Sequence, residues 1–101
     1  MKKKNIEDEF KVLRVIKNKP DSSQRELAKY LGYSLGKLNY CLNALIEKGF
    51  VKIKNFKASN NKAGYIYVLT IRGLREKTKL TVNFMKRKMK EYEELNKELK
   101  E

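Results

Sequence analysis

Amide and phenol side chains cluster on one side of a predicted helix in the middle of the chain. At a rotation of about 100° per residue, the residues opposite the apolar face of segment 34–48 are Gly36, Asn39, Tyr40 and Asn43, with Lys37 at the edge. Asparagine can form a bidentate pair of hydrogen bonds with adenine in the major groove of DNA, and glycine lets the backbone approach closely. The pattern predicts a DNA-facing surface at the start of a recognition helix, made of Ser34, Gly36, Lys37, Asn39, Tyr40 and Asn43. An ordinary solvated helix face is the alternative.

A second set of polar and basic residues is suited to binding the phosphates of DNA. Gln24 and Arg25 begin a short predicted helix, whose free N–H groups can bind a backbone phosphate. Residues 50–70 contain four lysines and no acid. We expect the loop within them to follow phosphates or to enter the minor groove, through Lys57, Asn60, Asn61 and Lys62. A lysine-rich edge that prevents strand aggregation is the alternative interpretation.

Composition favours a polyanionic partner and argues against catalysis. The chain has 101 residues, with 25 Lys and Arg against 12 Asp and Glu, so its formal net charge is +13. It has no histidine, which excludes a Ser-His-Asp centre and any histidine-ligated metal. A lone cysteine, Cys41, excludes an internal disulfide and a cysteine cluster for zinc. We therefore expect no catalytic residue, no metal and no cofactor: the protein is not an enzyme.

The predicted location is the cytoplasm. No apolar run approaches the roughly 18 residues of a membrane span, and the lysine-rich start is not followed by an apolar signal segment. A single thiol fits a reducing compartment. Cys41 falls on the apolar side of its helix, so a buried thiol is favoured over a redox sensor.

The elements that position these residues begin with two helices. In segment 5–19 the apolar residues Ile6, Phe10, Leu13 and Ile16 share one face. Three acids, residues 7–9, fall in the expected first turn, and Pro20 ends the segment. Ser23 and Glu26 form a capping-box pattern for the second helix, which ends at Gly32.

A third helix and a hairpin follow. Segment 34–48 has Ser34 as its N-cap and Gly49 as its stop, and its apolar face consists of Leu35, Leu38, Cys41, Leu42, Leu45 and Ile46. The period then changes from helical to alternating, because Val51 and Ile53 alternate with lysines. Residues 50–56 and 65–69 are predicted strands, joined by the polar loop 57–64.

The last segment, capped by Thr70, is far longer than so small a core requires. It carries a heptad-like seam with polar breaks, for which the predicted dimerisation residues are Leu74, Thr81, Phe84, Met85, Met89, Tyr92, Leu95 and Leu99. Its charge is divided: residues 71–90 are basic and residues 91–101 are acidic. Acidic and basic parts of two copies could pair in an antiparallel or crossed dimer, or the helix could be a solvated coil; the direction stays open.

Together the elements predict a mainly α fold with a small β-hairpin. Residues 1–70 form a winged helix-turn-helix DNA-binding domain, and residues 71–101 form a long C-terminal helix that serves as a dimerisation arm. A module of about seventy residues has a marginal core, which pairing would stabilise.

Three stretches carry a resemblance to a known family: residues 23–56, residues 65–73 and residues 84–95, with SLGKLNYCL at 34–42 as the most specific part. The chain resembles the MarR-type winged-helix transcriptional regulators, and within them the EPS-associated group, found with exopolysaccharide loci. The resemblance implies a homodimer that binds operator DNA, with residues 35–43 as the recognition segment and residues 57–64 as the wing tip. The acidic-x-Arg signature of the family's wing is absent, and Asn60, Asn61 and Lys62 stand near its place.

The function predicted is therefore a sequence-specific, homodimeric regulator that binds double-stranded DNA, with no membrane partner and an unknown small-molecule effector. The alternative is a protein–protein interaction module that docks through its long C-terminal helix. A membrane-surface role for segment 71–90 is less favoured, because Thr78, Thr81 and Lys88 interrupt its apolar stripe.

Overall fold

The computed structural model describes residues 2–56 and 65–101. Within them the chain forms four helices and one antiparallel two-stranded sheet. The elements are α1 (Lys2–Asn18), α2 (Gln24–Leu31), α3 (Leu35–Glu47), β1 (Val51–Phe56), β2 (Tyr65–Leu69) and α4 (Ile71–Lys100). The predicted fold class is confirmed: a winged helix-turn-helix followed by a long C-terminal helix.

Local capping chemistry sets the ends of the central helices. The Ser23 side chain accepts a hydrogen bond from the Glu26 N–H, and the Glu26 carboxylate accepts one from the Ser23 N–H, which completes the predicted capping box. Gly32 ends α2 in the left-handed region, at φ 71°. Ser34 then caps α3 by accepting from the Lys37 N–H at 3.0 Å.

The first helix differs from its sequence-based prediction. It begins at Lys2, so Asp8 and Glu9 lie inside the helix rather than in its first turn. Ile6 is 44% exposed, because it lies about a turn before the core begins, whereas Val12 is fully buried. Val12 lies outside the predicted stripe, but α1 packs against α2, α3, α4 and β2, and a helix with neighbours on several sides buries more than one stripe.

A single core joins all the elements. Its buried members come from every helix and both strands: Phe10, Val12, Leu13, Ile16, Leu27, Ala28, Leu38, Cys41, Leu42, Leu45, Val51, Tyr67 and Leu80. Leu35 was predicted on the apolar face of α3 but is 46% exposed. It lies at the edge of that face and at the first residue of the helix, where the core no longer covers it. Ile53 is also 46% exposed, because β1 leaves the core after Val51 and has a register irregularity between Ile53 and Asn55.

Thr70 and Gly73 connect the hairpin to the last helix. The Thr70 hydroxyl donates to the Gly49 carbonyl at 2.6 Å and accepts from the Gly73 N–H at 2.9 Å. Gly73 is buried, and a Cβ at this position would lie 2.0 Å from the Phe50 carbonyl oxygen. Only glycine therefore allows α4 to begin this close to the end of α3.

The last helix packs on the core through its first half and extends beyond it. Leu80 is buried, and Phe84 stacks on Phe10 with ring centroids 4.7 Å apart. The molecule measures 63 × 25 × 24 Å because α4 continues past these contacts for four more turns.

Candidate nucleic-acid interface

Among the described residues, none makes contacts that bury the outer face of α3. Leu38, Cys41, Leu42 and Leu45 are buried against the core. The predicted DNA-facing residues are all exposed in this structure, and Tyr40 exposes 67% of its surface; they are Ser34, Gly36, Lys37, Asn39, Tyr40 and Asn43. A Cβ at Gly36 would meet no atom within 4 Å. The folded chain therefore presents these amides and this phenol to the outside as one polar surface.

Lys37 differs from its neighbours on α3 because its side chain contacts Asp8 of α1 and the ring of Tyr33. Its ammonium lies 3.5 Å from the Asp8 carboxylate of α1 and 4.2 Å from the centre of the Tyr33 ring. The Tyr33 hydroxyl donates to the same Asp8 carboxylate at 2.7 Å. Burial, followed by this hydrogen bond, raises the pKa of Tyr33 above its usual value, so the phenol is neutral at physiological pH. The three side chains fix the start of α3 against α1.

A second ion pair ties the end of α3 to the same helix. Lys48 donates to the Glu9 carboxylate at 2.7 Å, and Glu9 is only 14% exposed. Between this pair and the Lys37 pair lies a cleft of about 400 Å³ that Tyr40, Cys41 and Ala44 also line. The acids of α1 thus neutralise two cations that border the outer face of α3.

The first turn of α2 carries the predicted phosphate-binding residues. Arg25 is exposed and Gln24 is half-buried, directly after the Ser23 cap. The Ser23 hydroxyl is occupied by the capping box, which leaves the Arg25 side chain as the charged group for a phosphate at this end.

Part of the predicted wing can be placed. Lys52 and Lys54 are exposed on β1 at the base of the hairpin. The predicted tip residues Lys57, Asn60, Asn61 and Lys62 lie outside the described residues.

The predicted dimerisation residues of α4 fall into two groups. Phe84 and Thr81 are half-buried: Phe84 stacks on Phe10 of the same chain, and Thr81 donates to the Lys77 carbonyl at 2.7 Å. The others are exposed apolar side chains, from Leu74 at 39% to Leu99 at 85%: Leu74, Met85, Met89, Tyr92, Leu95 and Leu99.

Cys41 is buried, as predicted. Burial raises the pKa of its thiol, and the nearby Asp8 raises it further while Lys37 opposes the change. The thiol is therefore protonated and weakly nucleophilic at physiological pH.

Sequence reasoning missed the two acids that position α3. Asp8 and Glu9 were assigned to a helix start, whereas they bind side chains that lie 25 and 39 residues further along the chain. Helical periodicity describes the faces of one helix and cannot predict contacts with residues 25 or 39 positions away in the sequence. Their position close to Phe10, a core residue of the same helix, was the one sequence signal that these acids could lie near other elements of the fold.

In the part of the chain that the structure describes, no cluster of three or more acidic or cysteine side chains could hold a metal ion. None of the helices within residues 2–56 and 65–101 combines the length and the apolar character needed to cross a membrane.

Comparisons with known proteins agree with this geometry. A family model described as winged helix-turn-helix DNA-binding matches residues 9–52, from α1 to the start of β1. A search of curated proteins gave no match.

Solved structures extend the likeness to most of the chain. MarR from Staphylococcus aureus in complex with salicylate and kanamycin is 17% identical, with a TM-score of 0.73 over 86% of this chain and 57% of that one. A MarR mutant from E. coli complexed with operator DNA is 32% identical, with a TM-score of 0.62 over 71% of this chain and 50% of that one. FabT from Streptococcus pneumoniae in complex with DNA is 23% identical, with a TM-score of 0.65 over 86% and 59%.

The chain therefore has the winged helix-turn-helix fold of MarR-like structures. It spans 50–59% of the length of these three structures.

Proposed function

We propose that this protein is a sequence-specific, homodimeric regulator of transcription that places α3 in the major groove of double-stranded DNA. The observation that carries the proposal is the outer face of α3, where Asn39, Tyr40 and Asn43 are exposed while the opposite side of the helix is anchored in the core. A rigid helix with a free amide face is what direct readout of base edges requires.

The charge of the molecule supports a DNA partner. The net charge of +13 provides the sequence-independent attraction to phosphate that underlies DNA binding. Arg25 at the start of α2 and the lysines of the hairpin, including Lys57 and Lys62, are proposed to contact phosphates or the minor groove. Gln24, Asn60 and Asn61 are proposed to add neutral hydrogen bonds at the same two places.

Dimerisation through α4 is the second part of the proposal. Its exposed apolar side chains have no neighbour in the described chain that covers them, and a dimer would bury them. Two copies would also match the two half-sites of a symmetric operator.

The narrower family assignment is a proposal as well. The segment SLGKLNYCL at residues 34–42 supports a place among MarR-type regulators of the EPS-associated group, and E. coli MarR complexed with operator DNA supports the DNA partner. A regulator of this kind would act in the cytoplasm, where the DNA is.

Selection of duplexes from a random pool, with the mass of the complex measured alongside, tests the proposal. We expect a two-fold symmetric site and two chains per duplex. Failure to bind any duplex in a salt-sensitive way, together with recovery of a protein partner bound to α4, would instead support the protein-interaction module.

A further inference from the structure

The last helix has two apolar faces that point in different directions. Gly73, Leu80 and Phe84 face the core of their own chain. The exposed side chains lie on a second stripe, rotated by about 100° from the first at the helical period: Leu74, Met85, Met89, Tyr92, Leu95 and Leu99. The second stripe therefore remains uncovered even though the first half of α4 is packed.

A groove of about 600 Å³ runs along this second stripe, between α1 and α4. Its apolar lining consists of Phe10, Phe84, Met85 and Met89. Cations border the groove: Arg14 on α1, and Lys77 and Lys88 on α4. An occupant that fits this groove is an amphipathic helix with an apolar stripe and an excess of carboxylates.

The acidic end of α4 has those properties. Residues 91–101 contain five glutamates and two lysines, whereas residues 71–90 contain eight cations and one glutamate. Tyr92, Leu95 and Leu99 form the apolar stripe of the acidic end and expose 69%, 61% and 85% of their surface. Within the described residues, the only ion pair of this end is the exposed contact between Glu91 and Lys88, at 3.7 Å.

We propose that the groove of each protomer receives α4 of a second copy, so that the two α4 helices pair antiparallel and the acidic end of each lies beside Lys77 and Thr81 of the other. The inference rests on the homodimer proposed above and specifies its arrangement. Each acidic end then lies against the basic stretch of the other protomer, twice by symmetry. A parallel pair would instead place basic against basic and acid against acid along the whole helix.

The sequence of the seam favours one antiparallel register. Alternating layers of an antiparallel coiled coil bring Leu74 against the partner's Leu99, Thr78 against the partner's Leu95, and Thr81 against the partner's Tyr92. In the same register Lys77 lies beside the partner's Glu98, and Lys88 packs on the partner's Met85. A parallel register would stack Lys88 directly on the partner's Lys88, which is unfavourable.

The same register gives a separation suited to DNA. The two Leu74 positions lie about 38 Å apart along the helix pair at about 1.5 Å per residue. Adjacent half-sites on B-DNA are about 34–36 Å apart. The arrangement thus separates the two points where α4 leaves the winged helices by about one turn of the duplex.

Cross-linking distinguishes the two directions. Leu74→Cys and Leu99→Cys are made separately, mixed, allowed to exchange subunits, and treated with a short bis-maleimide. We expect a covalent dimer from the mixture and little from either variant alone; the wild type, whose Cys41 is buried, serves as the control. A covalent dimer from each variant alone, or a monomer in solution, would overturn the antiparallel pairing.

Duplex binding measured on the same samples separates this inference from the proposed function. A parallel dimer that binds DNA would contradict only the arrangement. An antiparallel dimer that binds no DNA would contradict only the regulatory role.

Charge reversal tests the pairing of Lys77 with the partner's Glu98. Glu98→Lys is expected to weaken the dimer about tenfold, since two attractive pairs become repulsive. Combining it with Lys77→Glu should restore dimerisation to within about threefold. Glu94→Lys makes the same charge change on the exposed far side of the helix and should have a smaller effect; equal losses for Glu98→Lys and Glu94→Lys, without rescue, would contradict the register.

Discussion

Among single residues, the cations near α3 differ in whether a carboxylate of the same chain pairs with them. Lys37 and Lys48 border the outer face of α3, yet each is held by a carboxylate of α1, Asp8 or Glu9. Arg25 and the hairpin lysines Lys52 and Lys54 are exposed. The paired lysines therefore orient α3, and the cations that form no ion pair with another described residue remain the better candidates for phosphate.

The hydrogen bond from Tyr33 to Asp8 should contribute measurably to stability. Tyr33→Phe removes a donor to a half-buried carboxylate, and we expect a loss of about 1–2 kcal/mol in the free energy of unfolding at neutral pH. Chemical denaturation measures the loss. Tyr30→Phe is the matched control, because Tyr30 is 52% exposed, and it should change stability by less than about 0.5 kcal/mol. Equal effects of the two substitutions would rule out the role of this bond.

The same tyrosine should make stability depend on pH in the alkaline range. The pKa of Tyr33 is raised in the folded state, by burial first and by the hydrogen bond to Asp8 second. The unfolded chain therefore loses the phenol proton first, near pH 10, and stability falls as the pH rises further. The difference in unfolding free energy between wild type and Tyr33→Phe should be constant below about pH 10 and should shrink above it. A difference that stays constant up to pH 11 would contradict the shift.

Base readout by α3 predicts a specific pattern of losses. Asn39→Ala or Asn43→Ala should cost about 1–3 kcal/mol on the selected duplex and relax the preference at one base pair, if that residue reads a base. Binding to a scrambled duplex should change little. Asn83→Ala is the control, as an exposed asparagine on α4. Equal losses on both duplexes would assign these residues to the phosphates instead.

Periodicity predicted which polar residues of α3 are exposed, because a rotation of about 100° per residue is a property of the helix itself. It did not predict the exposure of Leu35, which lies at the first residue of the helix. It could not predict the ties from Tyr33 to Asp8 or from Lys48 to Glu9, since those depend on how α1 crosses α3. The burial of Val12, Tyr67 and Leu80 likewise follows from contacts between distant segments. Local chemistry thus predicted the polar surface, and tertiary packing determined what holds it in place.

At the scale of elements, capping residues made the helix boundaries predictable. Ser23, Gly32, Ser34 and Thr70 act where the sequence places them, because each satisfies backbone groups within its own turn. The start of α1 has no cap signal, and the helix begins before the predicted residue. The assignment of residues 71–101 to a separate arm stays a prediction.

Two helical glycines should respond in opposite ways to alanine. At Gly36 a methyl group meets open space, so Gly36→Ala should raise the free energy of unfolding by about 0.5–1 kcal/mol. At Gly73 the methyl group would collide with the Phe50 carbonyl, so Gly73→Ala should be strongly destabilising, by about 2 kcal/mol or more.

Duplex binding by the stabilised variant then tests the role of Gly36. If its backbone lies close to DNA, Gly36→Ala should weaken binding while the protein becomes more stable. Unchanged affinity for the selected duplex would show that the backbone does not approach the DNA at this residue.

At the scale of the whole molecule, the distribution of charge is more informative than its sum. The net charge of +13 combines a basic winged helix and a basic first part of α4 with an acidic end. In the proposed dimer, each acidic end lies against the basic first part of the partner's α4 and reduces the repulsion between the two copies. The cations of α2 and of the hairpin remain available for DNA.

Salt dependence should report how many phosphates the dimer neutralises. If each protomer contacts about four, the logarithm of the affinity should fall against the logarithm of salt concentration with a slope of about −7. Lys62 is the loop cation that the sequence most favours as a DNA contact. Lys62→Ala should therefore make the slope less steep by about two, one phosphate per protomer, and should weaken the selected and scrambled duplexes alike. Lys97→Ala removes the same charge from the acidic end of α4 and should leave the slope nearly unchanged. If both variants altered the slope equally, the attraction would arise from net charge alone, and the hairpin would have no particular position on the duplex.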